Sequence, residues 1–214
     1  MRNPVLAILA AVAALACLSC DQFEGDADFF PTAVGSSWRY EAEMVLLPSD
    51  TILTQVTNLR VTGTAPLGAG GTAAVFVTTD SLRQRVPWDT LLVNSDTSWI
   101  LKDSRWVLDF DGPNDDKPDT MLVLPLELNK TWQVLVKADT TVWGTVVKRE
   151  NITVPAGTFA DCWAVEYEYS YTGGSYKLTH WYAEEVGWVR GWSEFTAGNY
   201  TGRNEQRLTG YDVK

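Results

Sequence analysis

Chemistry in this sequence has few places to reside. The densest is Asp109-Phe-Asp111-Gly-Pro-Asn-Asp115-Asp116-Lys-Pro-Asp119, which puts five carboxylates into eleven residues. Hard oxygen ligands around a glycine turn are what calcium requires. The spacing then breaks, because Pro113 follows Gly112 and no bidentate Glu stands at the twelfth position. The segment therefore reads first as a solvated loop, in which Asp, Asn, Gly and Pro end strands; calcium stays open as the alternative. Glu166 and Glu168 share one face of a strand-like stretch, so a carboxylate pair for glycoside hydrolysis can be drawn. Nothing near them supports a sugar-cleaving centre, and residues two apart on a strand normally face water together. His180 is the only histidine, and no Gly-x-Ser-x-Gly elbow accompanies it, so a nucleophilic triad lacks its parts. It reads as a hydrogen-bonded strand histidine. Cys162 reads as a lone thiol packed on the strand face of Ala164, or as a partner for Cys20 if the stalk folds back. No Gly-rich phosphate loop, Cys-x-x-Cys or metal-protease His pair occurs. We expect no catalytic residues, no metal and no cofactor.

These residues lie in a β pattern. From Phe29 onward apolar residues alternate, Thr, Val, Tyr and Trp abound, and Gly or Pro recurs about every ten residues. Trp38, Tyr40, Ala42, Met44 and Leu46 fall on one face of a strand, with Arg39, Glu41 and Glu43 on the other. Trp163, Val165, Tyr167, Tyr169 and Tyr171 repeat the pattern, with Glu166, Glu168 and Ser170 opposite.

An internal echo organises these strands. Pro31 precedes Trp38 by seven places and Pro125 precedes Trp132 by seven. Gly35 and Asn129 stand at matching positions where a positive φ is cheap. A proline turn follows in each half, at Ala65-Pro66-Leu67-Gly68 and Val154-Pro155-Ala156-Gly157, and each half closes on a Trp pair, Trp99 with Trp106 and Trp181 with Trp188. The expectation is an all-β fold: an antiparallel meander forming an up-and-down barrel or half-barrel from two similar halves, 31–110 and 125–214. An Asp-rich linker, 109–119, would join them within a single domain spanning 31–214. Two meanders can bury their indole faces against each other and remove raw edges. The ten tryptophans read first as core.

Composition narrows the partners. The 214 residues are 45% apolar and 12% aromatic, enough to build a core, and 17 Lys+Arg against 27 Asp+Glu give a formal charge of -10. Nucleic acid and anionic bilayer faces repel such a surface. Residues 1–20 have one early charge, Arg2, and then an apolar run from Val5 to Leu18, the form of an export signal. The stretch Ala14-Leu-Ala-Cys17-Leu-Ser-Cys20 resembles the lipobox of bacterial lipoproteins, in which a cysteine after a small residue is lipidated and becomes the mature N-terminus. Cys17 and Cys20 are both candidates, with Cys17 the better fit. Residues 21–30 would then be a flexible acidic stalk.

The stretch Asn151-Ile-Thr-Val-Pro155-Ala-Gly157-Thr-Phe159-Ala-Asp-Cys162, followed by Trp181-Tyr-Ala-Glu-Glu-Val-Gly-Trp-Val189, is similar to a class of uncharacterised exported bacterial proteins, the TapB-like lipoproteins. The opening Phe30-Pro31…Val34-Gly35-Ser-Ser-Trp38 fits the same pattern, while the Asp-rich insertion near 109–119 departs from it. The resemblance implies a barrel or half-barrel at the cell envelope and carries over no catalytic residue. The functional expectation is a membrane-tethered, non-enzymatic binding or structural module of the bacterial envelope, on its periplasmic or outer-surface side. Its partners would be the membrane, through the N-terminal lipid, and an apolar ligand or an envelope protein. A carrier or chaperone of lipid in a half-barrel cavity is the alternative, and a polysaccharide hydrolase is the weaker one.

Overall fold

Alternating burial at Trp38, Tyr40 and Ala42, with Arg39, Glu41 and Glu43 exposed, builds the first strand as the sequence pattern requires. Met44 and Leu46 continue the register but are only half-buried. A computed structural model describes residues 27–47, 51–68, 70–84, 90–137, 140–171, 174–197 and 200–214. The export signal, Cys17 and Cys20 lie outside the described residues.

All regular structure among the described residues is β. Twelve strands follow one another: β1 (Ser37–Leu47), β2 (Thr51–Pro66), β3 (Thr72–Gln84), β4 (Thr90–Lys102), β5 (Trp106–Phe110), β6 (Asp119–Val123), β7 (Thr131–Lys137), β8 (Thr140–Val154), β9 (Gly157–Tyr171), β10 (Gly174–Ala183), β11 (Gly187–Ala197) and β12 (Tyr200–Asp212). They form one antiparallel sheet in the order β6-β5-β4-β3-β2-β1-β12-β11-β10-β9-β8-β7. The pairing of β1 with β12, from Ser37–Asp212 to Leu47–Thr201, joins the first and last of these strands. The edge strands β6 and β7 are consecutive in sequence and lie side by side, so the sheet is a nearly closed barrel with one seam. Side chains cross that seam where a ladder would stand: Trp132 Nε1 donates to the Thr120 carbonyl at 3.0 Å, and the Tyr167 hydroxyl donates to the Met121 carbonyl at 2.9 Å. Closing a sheet in this way removes nearly all of its unpaired edge.

The segments entering β1 and β7 make matching bonds. Gly35 N donates to Val61 O at 2.9 Å, and Asn129 N to Val146 O at 2.8 Å. Val61 N returns to Ser36 O and Val146 N to Lys130 O, each at 2.9 Å. Both turn residues have positive φ, 94° at Gly35 and 67° at Asn129, where glycine and asparagine are least strained. The proline turns fall at the β2–β3 and β8–β9 connections, and the two Trp pairs on β4–β5 and β10–β11.

The core follows the pattern in part. Trp38, Trp132 and Trp181 are buried, as are Tyr40, Val61, Val146, Tyr182 and Leu208. The indoles are not all core, however: Trp106 is 37% and Trp143 49% exposed. A barrel wall has an outer face, and an aromatic of the wrong parity stays on it. Along β9, Val165 and Tyr167 are buried as expected, yet Cys162 and Ala164 of the opposite parity are buried too. Both faces of that strand are covered, because Trp181 pairs with Ala164 and is itself roofed by Lys148 and Arg190, at 5.5 and 4.8 Å from its ring. Trp163 is only half-buried, beneath the Arg149 guanidinium at 5.1 Å. The Tyr171 side chain lies outside the described set.

Two assignments of segments need correction. The acidic stretch 109–119 is not a linker between halves: Asp109 pairs with Asp119 across the base of the β5–β6 hairpin, and the rest is its loop. Hydrophobic residues of both strands, Leu108 and Phe110 on β5 and Met121 and Leu122 on β6, hold the hairpin in the sheet. Residues 28–30, expected in the stalk, are held by the barrel instead. Lys102 Nζ reaches Asp28 Oδ2 at 2.6 Å and the Phe30 carbonyl at 3.1 Å, Glu185 N donates to Asp28 O, and Phe29 is buried. Residues 28–31 thus lie across one end of the barrel.

Candidate functional site

Below that N-terminal strap a pocket of about 140 Å³ opens into the barrel. Strand alternation aims one residue of each pair inward, so eight strands contribute to its walls: Trp38 and Tyr40 from β1, Leu59 from β2, Phe76 from β3, Ser98 and Ile100 from β4, Asp109 from β5, Met121 from β6, His180 and Tyr182 from β10, and Trp188 from β11. Phe30 and Pro31 form the rim beside Gly187.

The aromatic walls are ordered by stacking and by backbone acceptors. Trp38 stacks on Phe76 with centroids 6.1 Å apart, and its Nε1 donates to the Val186 carbonyl at 2.7 Å. Tyr40 stacks on Trp188 at 4.5 Å and donates its hydroxyl to the Trp188 carbonyl at 2.9 Å. His180 lies on the Trp188 ring at 4.2 Å. This stack depends on Gly191: a Cβ there would come within 2.9 Å of Trp188 Cζ2 and 3.3 Å of His180 Cδ2. Glycine lets the indole and imidazole lie against the β11 backbone.

Five polar side chains, Tyr40, Ser98, Asp109, His180 and Tyr182, interrupt the apolar lining. The Tyr182 hydroxyl meets the Tyr167 hydroxyl at 3.2 Å and His180 Nδ1 at 3.4 Å. Burial pushes the imidazole pKa down to about 3, so His180 is neutral across the physiological range. Burial raises the Tyr40 and Tyr182 hydroxyls as well. Asp109 behaves in the opposite sense to an ordinary carboxylate. Desolvation, and then the charges of Asp119, Asp111, Asp96 and Asp115, raise its pKa to about 7. Its Oδ1 is buried without a hydrogen-bond partner, and so is Nε1 of Trp188. One orphan acceptor and one orphan donor therefore belong to residues of the same pocket. Such groups cost roughly 1–3 kcal/mol each, so few persist in folded proteins.

The residues singled out in the sequence lie elsewhere, His180 and Asp109 excepted. Glu166 and Glu168 both reach Lys177 Nζ, at 2.8 and 3.7 Å, so the carboxylates of the proposed hydrolytic pair are engaged by one surface lysine. In the acidic loop the Asp115 carboxylate receives the amides of Asp111 and Lys117, at 3.2 and 3.0 Å. Among the described residues no group of three or more His, Cys, Asp or Glu side chains converges as a metal site. Cys162 is a free, wholly buried thiol with its pKa pushed up to about 11 by desolvation. No described helix is long and apolar enough to cross a membrane.

A larger groove of about 760 Å³ lies on β1, β12 and β11, between Val45, Trp192 and Phe195. Two ion pairs already occupy it, Arg203 with Glu194 at 3.1 Å and Glu205 with Arg190 at 3.0 Å. The inner pocket gathers two buried unsatisfied atoms, Asp109 Oδ1 and Trp188 Nε1, in a mainly aromatic lining and is the better site; Arg190 Nε and Asn204 Oδ1 also lack partners but lie outside it.

The pocket was hidden in the sequence because Asp109 looked like one more member of an acidic run. The signal that separates it is local. Asp109 stands between Leu108 and Phe110 on a strand, whereas Asp111, Asp115 and Asp116 occupy a Gly/Pro loop.

Comparison with known proteins adds to the fold. Residues 113–201 match the family model described as DUF3108-like. A protein from Bacteroides fragilis, regarded as exported and assigned a YmcC-like fold, is similar in structure with a TM-score of 0.53 at 16% identity, over 87% of this chain and 99% of that one. A protein regarded as a lipoprotein, from Parabacteroides distasonis, gives a TM-score of 0.47 at 16% identity, over 88% of this chain and 100% of the other. No curated protein matches the sequence.

Proposed function

We propose that this protein is a non-enzymatic binding module of the bacterial cell envelope, held to a membrane by lipid on Cys17 or Cys20, with the strapped end of the barrel as its ligand site. The observation that carries the reading is the aromatic pocket, built from eight strands and bearing two unsatisfied polar atoms. The lipobox-like run and the TapB-like pattern over 151–189 support the tether and the location, as does the description of the Bacteroides fragilis protein as exported.

The size of the pocket bears on the ligand. About 140 Å³ matches a cavity of roughly 150 Å³ that accepts benzene, and falls below the ~300 Å³ where sites for larger ligands begin. An acyl chain would need the barrel to open, so a small ligand is favoured over lipid carriage. Palmitate labelling of the full-length chain in a bacterial host tests the tether. Label lost in Cys17→Ser or in Cys20→Ser identifies the anchor. A wild-type chain that takes no label and fractionates as a free protein overturns it. Binding is tested by toluene, which should shift the emission of the tryptophans on the pocket wall.

A further inference from the structure

We propose that the pocket binds a small organic ammonium group carried on an apolar body, with Asp109 as its counter-ion and Trp38, Tyr40, Phe76 and Trp188 as its aromatic walls. This rests on the reading of the barrel as a binding module and adds the class of ligand.

Three observations point to a cation. The first is the carboxyl oxygen itself: Asp109 Oδ1 is buried, without a partner, on a residue of the pocket wall. A buried carboxylate is satisfied by a charged donor more strongly than by a neutral one. The second is the field. Asp96 on β4, Asp119 on β6 and Asp111 and Asp115 in the loop all act on Asp109 with the same negative sign. On the opposite wall His180 is kept neutral, and Tyr182 keeps its proton. Among the described residues no lysine or arginine lines the pocket. The third is the wall. Aromatic faces attract ammonium groups through their quadrupole, and Trp is the best of them. The stacked pairs Trp38–Phe76 and Tyr40–Trp188 present such faces. An oxygen beside the nitrogen of the ligand would accept from Trp188 Nε1.

A pocket of this size admits a single ring with a short arm, so benzylammonium is a fitting probe, with benzyl alcohol and toluene as neutral counterparts. Titrations follow tryptophan emission at pH 8, using the full-length chain carrying Cys17→Ser and Cys20→Ser so that no lipid competes. We expect benzylammonium to bind more tightly than either neutral probe, and Asp109→Asn to weaken benzylammonium by at least about tenfold more than it changes toluene. In the chain with native Asp109, benzylammonium should also weaken as pH falls from 8 to 5 and the carboxyl gains its proton, and toluene should not. That comparison serves even if Asp109→Asn fails to fold. Equal binding of the three probes, or benzylammonium binding indifferent to both Asp109→Asn and pH, overturns the ammonium assignment and leaves a purely apolar site. Failure of all three probes to bind overturns the binding module itself.

Discussion

Replacing Asp109 by Asn should make the protein more stable at alkaline pH and leave it unchanged in acid. In the unfolded chain this carboxyl ionises near 3.8, whereas in the fold it keeps its proton until about 7. Between those values the folded state binds a proton that the unfolded state has released, so stability falls as pH rises, and it levels off above about 7. At about 1.4 kcal/mol for each pH unit of displacement, the loss amounts to roughly 4 kcal/mol. His180 acts in the opposite direction. Its imidazole is neutral in the fold down to about 3 but takes a proton near 6.5 when unfolded, so its contribution is present above 6.5 and lost as pH falls. Over about pH 4 to 6.5 the two slopes oppose each other, and the native chain should melt at a nearly constant temperature there. Asp109→Asn removes one slope. The variant should match the native protein near pH 3 to 4, then rise steadily, and exceed it by about 4 kcal/mol at pH 8, on the order of 10 °C in Tm for a body of this size. Thermal melts followed by near-UV circular dichroism at one-unit pH steps measure this. A Tm difference that stays constant with pH, or a native protein more stable than the variant at pH 8, would refute the placement of Asp109 in a desolvated, acidic surrounding.

Other outcomes follow from packing. Trp38→Ala and Trp132→Ala each delete a buried indole with a hydrogen-bonded N–H, and each should cost about 3–5 kcal/mol in denaturant titrations. Gly191→Ala places a methyl 2.9 Å from Trp188 and should displace the indole into the pocket, costing about 1–3 kcal/mol and abolishing the fluorescence response to toluene. Cys162, buried with its pKa near 11, should resist thiol reagents at pH 8 in the folded protein and react at least about 100 times faster in denaturant.

The barrel was legible because its period is two and its punctuation is regular. Trp38, Tyr40 and Ala42 alternate with charged residues, and no helical spacing competes with them. The positive φ at Gly35 and Asn129 was readable from residue type and from the matched distance to Pro31 and Pro125. What could not be read was the covering of a second face. Cys162 and Ala164 have outward parity by counting, and only the position of Trp181 on the neighbouring strand, with Lys148 and Arg190 over it, explains their burial. The pocket was hidden for the same kind of reason. Asp109 and His180 come from β5 and β10, strands that the sheet order separates and only the curvature of the barrel brings together.

That curvature also bears on the repeated landmarks. Turning the barrel by half a revolution carries β1 onto β7 and the β12–β1 pairing onto the β6–β7 seam. The hydrogen bonds of Gly35 and Ser36 to Val61 then correspond to those of Asn129 and Lys130 to Val146. The two halves thus share a six-stranded layout and matching entry bonds, and they differ at their sixth strands. In one half the sixth strand, β12, runs for 13 residues and pairs with β1 throughout; in the other, β6 has five residues and leaves the seam to Trp132 and Tyr167. The short strand puts Met121 at the pocket wall and Asp119 beside Asp109, where a long ladder would have set alternating side chains against a closed sheet.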